Sequence, residues 1–67
     1  MKISYNKLWK LLIDKNMKRK DLQEVACISS ASIAKLGKGD NITTDVLLRI
    51  CDALDCTLED IMETIKD

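Results

Sequence analysis

Apolar residues recur every three or four positions along most of this chain, which is the spacing of amphipathic α-helices. The spacing predicts a first helix over about residues 5–15, a second over 19–27 and a third over 30–36. Only about three residues separate the second helix from the third. Two short helices joined by so tight a connection are the sequence form of a helix-turn-helix.

The second half of the chain carries two further apolar stripes. A fourth helix is expected to begin at Thr43 or Thr44, and its stripe is made of Leu47, Ile50, Cys51 and Leu54. A fifth is predicted after Thr57, where Thr57-Leu58-Glu59-Asp60 resembles a capping box. Its stripe is made of Leu58, Ile61, Met62 and Ile65. We find no segment that alternates between apolar and polar residues, so the predicted fold class is all-α, a compact five-helix bundle.

The third helix has signals at both ends. Ser29 and Ser30 precede its first turn, where a serine hydroxyl can accept a hydrogen bond from a backbone N–H. Gly37-Lys38-Gly39 follows the last apolar residue, Leu36, and glycine readily takes the left-handed conformation that ends many helices. The helix-turn-helix is therefore predicted at about residues 18–37.

Length and composition narrow the class of protein. The chain has 67 residues, and because a domain usually takes about 150, we expect a single domain over 1–67. Hydrophobic residues make up 46% and charged residues 33%, which is too apolar for a disordered segment. Runs such as Leu11-Leu12-Ile13 fall far short of the ~20 apolar residues of a membrane span, and no apolar leader follows Met1. We expect a soluble, cytoplasmic protein.

Residues able to carry catalytic chemistry are few. The chain has three cysteines and no histidine, whereas a structural zinc site takes four nitrogen or sulfur ligands. The absence of histidine also excludes Ser-His and Cys-His nucleophile pairs, and no glycine-rich loop resembles a phosphate cradle. We interpret Cys27, Cys51 and Cys56 as small buried or half-buried thiols. We expect no enzyme activity, no cofactor and no metal.

Charge is distributed unevenly although the net charge is zero. Residues 1–38 contain nine Lys and Arg against three Asp and Glu, a net charge of +6. Residues 39–67 contain two basic against eight acidic residues, a net charge of −6. Such asymmetry indicates one face that meets a polyanion and another that is turned away. The alternative is an ordinary solvated surface.

The register of the four later elements resembles the Cro/C1-type (XRE-like) family of DNA-binding domains, whose fold is lambda-repressor-like. The resemblance runs from about Leu8 to Ile65, nearly the whole chain. The matching positions are Leu22, Ala26, Ile28, Ser29, Ile33, Leu36, Gly39, 47–54 and 57–61. It implies five helices, a third helix lying in the DNA major groove, and a role as a small transcriptional regulator that is a repressor.

The resemblance also implies which residues meet DNA. The positions that face bases in the family's register are Ser30, Ala31 and Lys35. Lys35 is the one long hydrogen-bond donor among them, and guanine O6 and N7 are its best targets. The positions that approach the DNA backbone are Lys18, Arg19, Lys20, Ser29, Ser32, Lys38 and Asn41. For each lysine or arginine the alternative is a solvated side chain. Trp9 is interpreted as a core or half-buried residue rather than as a platform on which bases stack.

Four positions depart from the family pattern. Cys27 occupies the turn position where the family usually has glycine at positive φ. A residue other than glycine in that conformation costs strain of about 1 kcal/mol. Lys18 stands where Thr or Ser usually caps the second helix, and a lysine side chain accepts no hydrogen bond. The family's Arg–Glu pair between the first and third helices is replaced by Leu12 and Gly37, so both charges are absent together.

The resemblance predicts double-stranded DNA as the partner, with a palindromic operator bound by a weak homodimer. We expect the dimer to form through the fifth helix and the apolar ends of the chain, Ile3 and Ile65 among them. No membrane contact and no small-molecule ligand are expected. The alternative function is a protein-interaction module on a helix-turn-helix scaffold, such as an antitoxin, because fold alone does not decide function. Zero net charge and a recognition helix poor in long side chains favour this alternative.

Overall fold

The computed structural model describes residues 1–66. Four α-helices lie within that range: α1 (Asn6–Asp14), α2 (Arg19–Ala26), α3 (Ser30–Lys38) and α4 (Thr44–Leu54). A 3-10 turn (Leu58–Asp60) follows α4. Two short strands, β1 (Lys2–Ser4) and β2 (Glu63–Ile65), complete the described part of the chain. The first four predicted helices are therefore confirmed, and each is placed to within a few residues.

The core forms where the apolar stripes of the helices meet. Leu8, Leu22, Leu36, Ile50 and Ile61 are the largest side chains that are fully buried. They come from α1, α2, α3, α4 and the segment after the 3-10 turn, so every helix contributes at least one anchor. Helices α2 and α4 pack against each other and thereby support the helix-turn-helix from behind.

The predicted fifth helix is wrong: the described residues form a mostly helical helix-turn-helix fold with four α-helices and a small two-stranded sheet, in place of a five-helix bundle. The capping residues act as expected, because Asp60 Oδ2 accepts from Thr57 N at 3.0 Å. They begin a single 3-10 turn, and the chain then extends into β2, which pairs antiparallel with β1 in the register Ile3 to Thr64. The predicted stripe holds only one deep anchor, Ile61, while Ile65 is exposed. A single buried isoleucine followed by the β-branched Thr64 and Ile65 favours a turn and then a strand. Pairing with this strand also provides hydrogen-bond partners for the backbone N–H and C=O groups of β1.

The observed helix ends refine three other expectations. Helix α3 continues through Gly37 to Lys38, and Gly39 ends it at φ 75° in the left-handed region. Ser29, rather than Ser30, is the N-cap of α3. Thr43 caps α4 by accepting from Val46 N at 3.3 Å.

Two findings bear on the broad class of protein. Among the α-helices of residues 1–66, none combines the length and apolarity required to cross a membrane. Within the same residues no three metal-ligating side chains come together. The three thiols are free, but Cys27 is exposed rather than buried, because it lies in the turn between α2 and α3.

Candidate nucleic-acid interface

The turn between α2 and α3 is built around a left-handed residue. Cys27 has φ 55° and ψ 45°, which confirms the positive φ expected at this position. Its left-handed conformation lets Ile28 N donate to Gln23 O at 3.2 Å, which closes the end of α2. Ile28 is then buried in the core and fixes the direction in which α3 departs.

Arg49 of α4 holds this turn from the opposite side. Its Nη1 donates to the backbone oxygen of Cys27 at 3.1 Å, and its Nε lies 3.1 Å from Asp45 Oδ2. Asp45 stands one turn before Arg49 on the same helix, so the carboxylate orients the guanidinium toward the turn. The helix-turn-helix is thus fixed by a contact between residues far apart in sequence.

The start of α3 is capped by a pair of serines. Ser29 Oγ accepts from Ser32 N at 3.2 Å and lies 3.1 Å from Ser32 Oγ. Ser32 is half-buried, whereas Ser29 is exposed. Both hydroxyls are therefore already engaged with each other, although each oxygen keeps capacity for one more hydrogen bond.

The three residues predicted to face bases all lie on the solvent side of α3. Ser30, Ala31 and Lys35 are exposed, while Leu36 of the same helix is buried against the core. Lys35 has no hydrogen bond or ion pair to the described residues. Its ammonium therefore stays available as a donor on the outer surface of α3.

A basic corner, Lys18–Lys20, forms the start of α2. All three side chains are exposed. Lys18 is the N-cap, but its side chain makes no capping bond; instead Asp21 Oδ2 accepts from Lys18 N at 2.9 Å. A lysine is tolerated at the N-cap position because Asp21, the third residue of α2, accepts the hydrogen bond from the Lys18 backbone N–H. Asp21 also suits the positive end of the helix dipole.

The second group of predicted backbone contacts follows α3. Lys38 is its last residue, and Asn41 lies in the loop before α4; both are exposed. The loop is tied to the body of the protein because the buried Tyr5 donates from its hydroxyl to Asp40 O at 3.4 Å. Lys38 and Asn41 therefore extend the exposed polar surface beyond the C-terminal end of α3.

Arg19 does not extend freely into solvent. Its guanidinium carbon lies 4.3 Å from the centroid of the Trp9 ring, within cation–π range. Its Nη1 would lie 3.0 Å from a Cβ placed on Gly37. Leu12, the other position of the missing Arg–Glu pair, is buried in the core. The Arg19 guanidinium therefore lies close to the space that Gly37 leaves open because it has no side chain.

Sequence reasoning missed three residues that shape this surface. Nothing in the sequence marks Arg49, because its contact with Cys27 spans 22 positions. Trp9 is half-buried, as the sequence predicts, but the contact of its ring face with Arg19 was not predicted. Gly37 did carry a signal, since a glycine inside a helix is unfavourable and often marks a close approach.

The model of the Cro/C1-type HTH DNA-binding domain matches residues 7–67. The chain belongs to this family. The matched residues include the helix-turn-helix formed by α2 and α3, and they extend to the β2 strand that stands in place of the predicted fifth helix.

A solved structure carries the same fold. The chain is similar to the crystal structure of the transcriptional regulator VanUg (Form II), with 48% sequence identity and a TM-score of 0.94. The match covers 98% of this chain and 88% of that one. No curated protein matches the chain.

Proposed function

We propose that this protein is a sequence-specific double-stranded DNA-binding transcriptional regulator, acting as a repressor in the cytoplasm. The observation that carries the proposal is the exposed surface of α3, where the side chains of Ser30, Ala31 and Lys35 make no hydrogen bond or ion pair with the other residues of 1–66. Membership of a DNA-binding family and the similarity to a transcriptional regulator support it.

The proposed contacts divide by chemistry. Lys35, together with Ser30 and Ala31, would read base edges in the major groove, where Lys pairs with guanine and a methyl group meets thymine. The basic corner Lys18–Lys20 would bind phosphates on one side of α3. The remaining proposed phosphate contacts are Ser29, Ser32, Lys38 and Asn41. Phosphate contacts fix the register of the protein on the duplex but carry no base identity.

We extend the proposal to a homodimer on a palindromic operator. The protein measures 33 × 23 × 17 Å and presents one α3 within residues 1–66. Two half-sites lie about 34 Å apart, so a single copy reads only one of them. The interface cannot involve a fifth helix; the apolar ends of the ribbon, including Ile3 and the exposed Ile65, are the remaining candidates.

Selection of bound duplexes from a random pool tests the proposal. A pool that converges on one sequence with two-fold symmetry supports it, and sedimentation of the protein with that duplex should give two copies per site. A pool that stays random after several rounds, with no salt-dependent binding to any duplex, would contradict it.

A protein-interaction module is the second candidate. The observation that favours it is that Ile13, Leu48 and Val25 expose 74%, 58% and 52% of their surface. Burying such apolar side chains against a partner protein would be favourable. Failure of the protein to bind heparin and duplex DNA at low salt would favour this function over DNA binding.

A further inference from the structure

We propose that Trp9 and Gly37 are positioning residues that hold the Arg19 guanidinium ready for a DNA phosphate. The inference rests on the proposed DNA-binding function and adds two residues to it. Neither would touch DNA; both would act through Arg19.

The first support is the geometry of the contact. The Arg19 guanidinium carbon lies 4.3 Å from the Trp9 ring centroid. The attraction between the guanidinium and the ring face restrains the Arg19 side chain, and it leaves the N–H donors without a hydrogen-bond acceptor of their own. A restrained guanidinium loses less conformational entropy when it binds than a freely rotating side chain does.

The second support is the absence of a competing anion. Arg19 has no ion pair and no hydrogen bond to another residue in the described part of the chain, whereas Arg49 is engaged by Asp45. Arginine forks match phosphate oxygens in bidentate fashion. The Arg19 donors are therefore both oriented and uncommitted.

The third support is the space at Gly37. This residue lies inside α3, yet a Cβ there would stand 3.0 Å from Arg19 Nη1 and 3.8 Å from its guanidinium carbon. Glycine lowers the stability of a helix interior, and a Cβ at this position would require the Arg19 guanidinium to move by a few tenths of an ångström. A larger side chain would displace the guanidinium from Trp9.

Gly37→Leu tests the inference, because leucine is a better helix former than glycine and should not lower the midpoint of thermal unfolding. We expect two changes. Trp9, the one tryptophan, should become more accessible to acrylamide quenching, as in Arg19→Ala. The slope of log affinity against log salt for a duplex should fall by about 0.9, the value for one lost phosphate contact.

Three controls separate positioning from other effects. Trp9→Phe keeps a ring face and should keep the wild-type slope. Lys10→Ala removes one positive charge beside Asp14, Asp55 and Glu59, and should leave the slope unchanged. In an Arg19→Ala background, Gly37→Leu should change the slope no further, because its effect acts through Arg19.

The outcomes are distinguishable. If the wild type binds duplex but Gly37→Leu leaves both quenching and slope at wild-type values, the inference is wrong and the proposed function stands. A further loss of affinity in the Arg19→Ala background would mean that the leucine itself clashes with DNA, which also overturns it. A wild type that binds no duplex overturns the proposed function and the inference together.

Discussion

Arg49 Nη1 donates to the backbone oxygen of Cys27 at 3.1 Å and so joins α4 to the turn of the helix-turn-helix. The bond holds a residue whose backbone is in the left-handed region, at φ 55°. A side chain other than glycine is strained there. The turn thus keeps its form through three contacts: the bond from Arg49, the burial of Ile28 and the backbone bond from Ile28 to Gln23.

Replacing Cys27 by glycine should leave stability unchanged or raise it by up to about 1 kcal/mol. Glycine removes the steric cost of positive φ, and the greater freedom of the unfolded chain offsets part of that gain. The thiol is exposed and contributes only a long contact of 3.8 Å to Glu24 O. Urea unfolding measures the difference. Cys27→Ala is the control, since alanine retains the strain; a clear loss of stability in Cys27→Gly would show that the thiol contributes more than its contacts suggest.

Ser29→Ala and Thr43→Ala form a matched pair at the two capped helices. Each removes a hydroxyl that accepts from a backbone N–H, at 3.2 Å for Ser29 and 3.3 Å for Thr43. Each should lower the free energy of unfolding by about 1 kcal/mol. Thr43 begins α4 and is not among the proposed contacts, so only Ser29→Ala should also weaken DNA binding at temperatures where both variants are folded. Equal binding by the two variants would remove Ser29 from the proposed phosphate contacts.

Stability should fall as the pH rises from about 9 to about 11, because of Cys56. Burial raises the pKa of this thiol from 9.0 to about 11, with Cys51 and Asp60 adding to the shift and Lys15 opposing it. Between these values the unfolded chain loses its proton first, so ionisation favours the unfolded state; below 9 the contribution is fully present.

Urea unfolding of the wild type and Cys56→Ala across this pH range measures the effect. The advantage of the wild type should shrink with rising pH. Burial also raises the pKa of Tyr5, but that contribution is present in both proteins and cancels in the difference. A difference that stays constant with pH would mean that Cys56 ionises as an ordinary exposed thiol.

The sequence predicted the four helices and the turn because each depends on local signals. Leu22, Ile28 and Leu36 mark the apolar stripes, and Gly39 ends α3 two residues beyond the predicted end at Leu36. The β-ribbon depends instead on pairing between residues near opposite ends of the chain, such as Ile3 and Thr64. Apolar residues at helical spacing do not require a helix when Ile61 alone must be buried, because a turn followed by a short strand buries Ile61 equally well.

The candidate site was predictable in part for the same reason. The exposed residues of α3 follow from the register of one helix. The contacts of Arg49 with Cys27 and of Trp9 with Arg19 join separate elements. Such contacts between elements cannot be predicted from the pattern of charges along the chain.

A comparison of Lys35→Ala with Lys38→Ala tests whether α3 reads DNA sequence while its flanks bind phosphate. Binding is measured at several salt concentrations against the selected duplex and a scrambled one. We expect Lys35→Ala to lose about 1–3 kcal/mol on the selected duplex and to relax preference at one base position. Lys38→Ala should weaken both duplexes equally and lower the salt slope by about 1. If Lys35→Ala weakens binding to both duplexes alike, or if neither substitution alters binding, then α3 does not read the DNA sequence through Lys35.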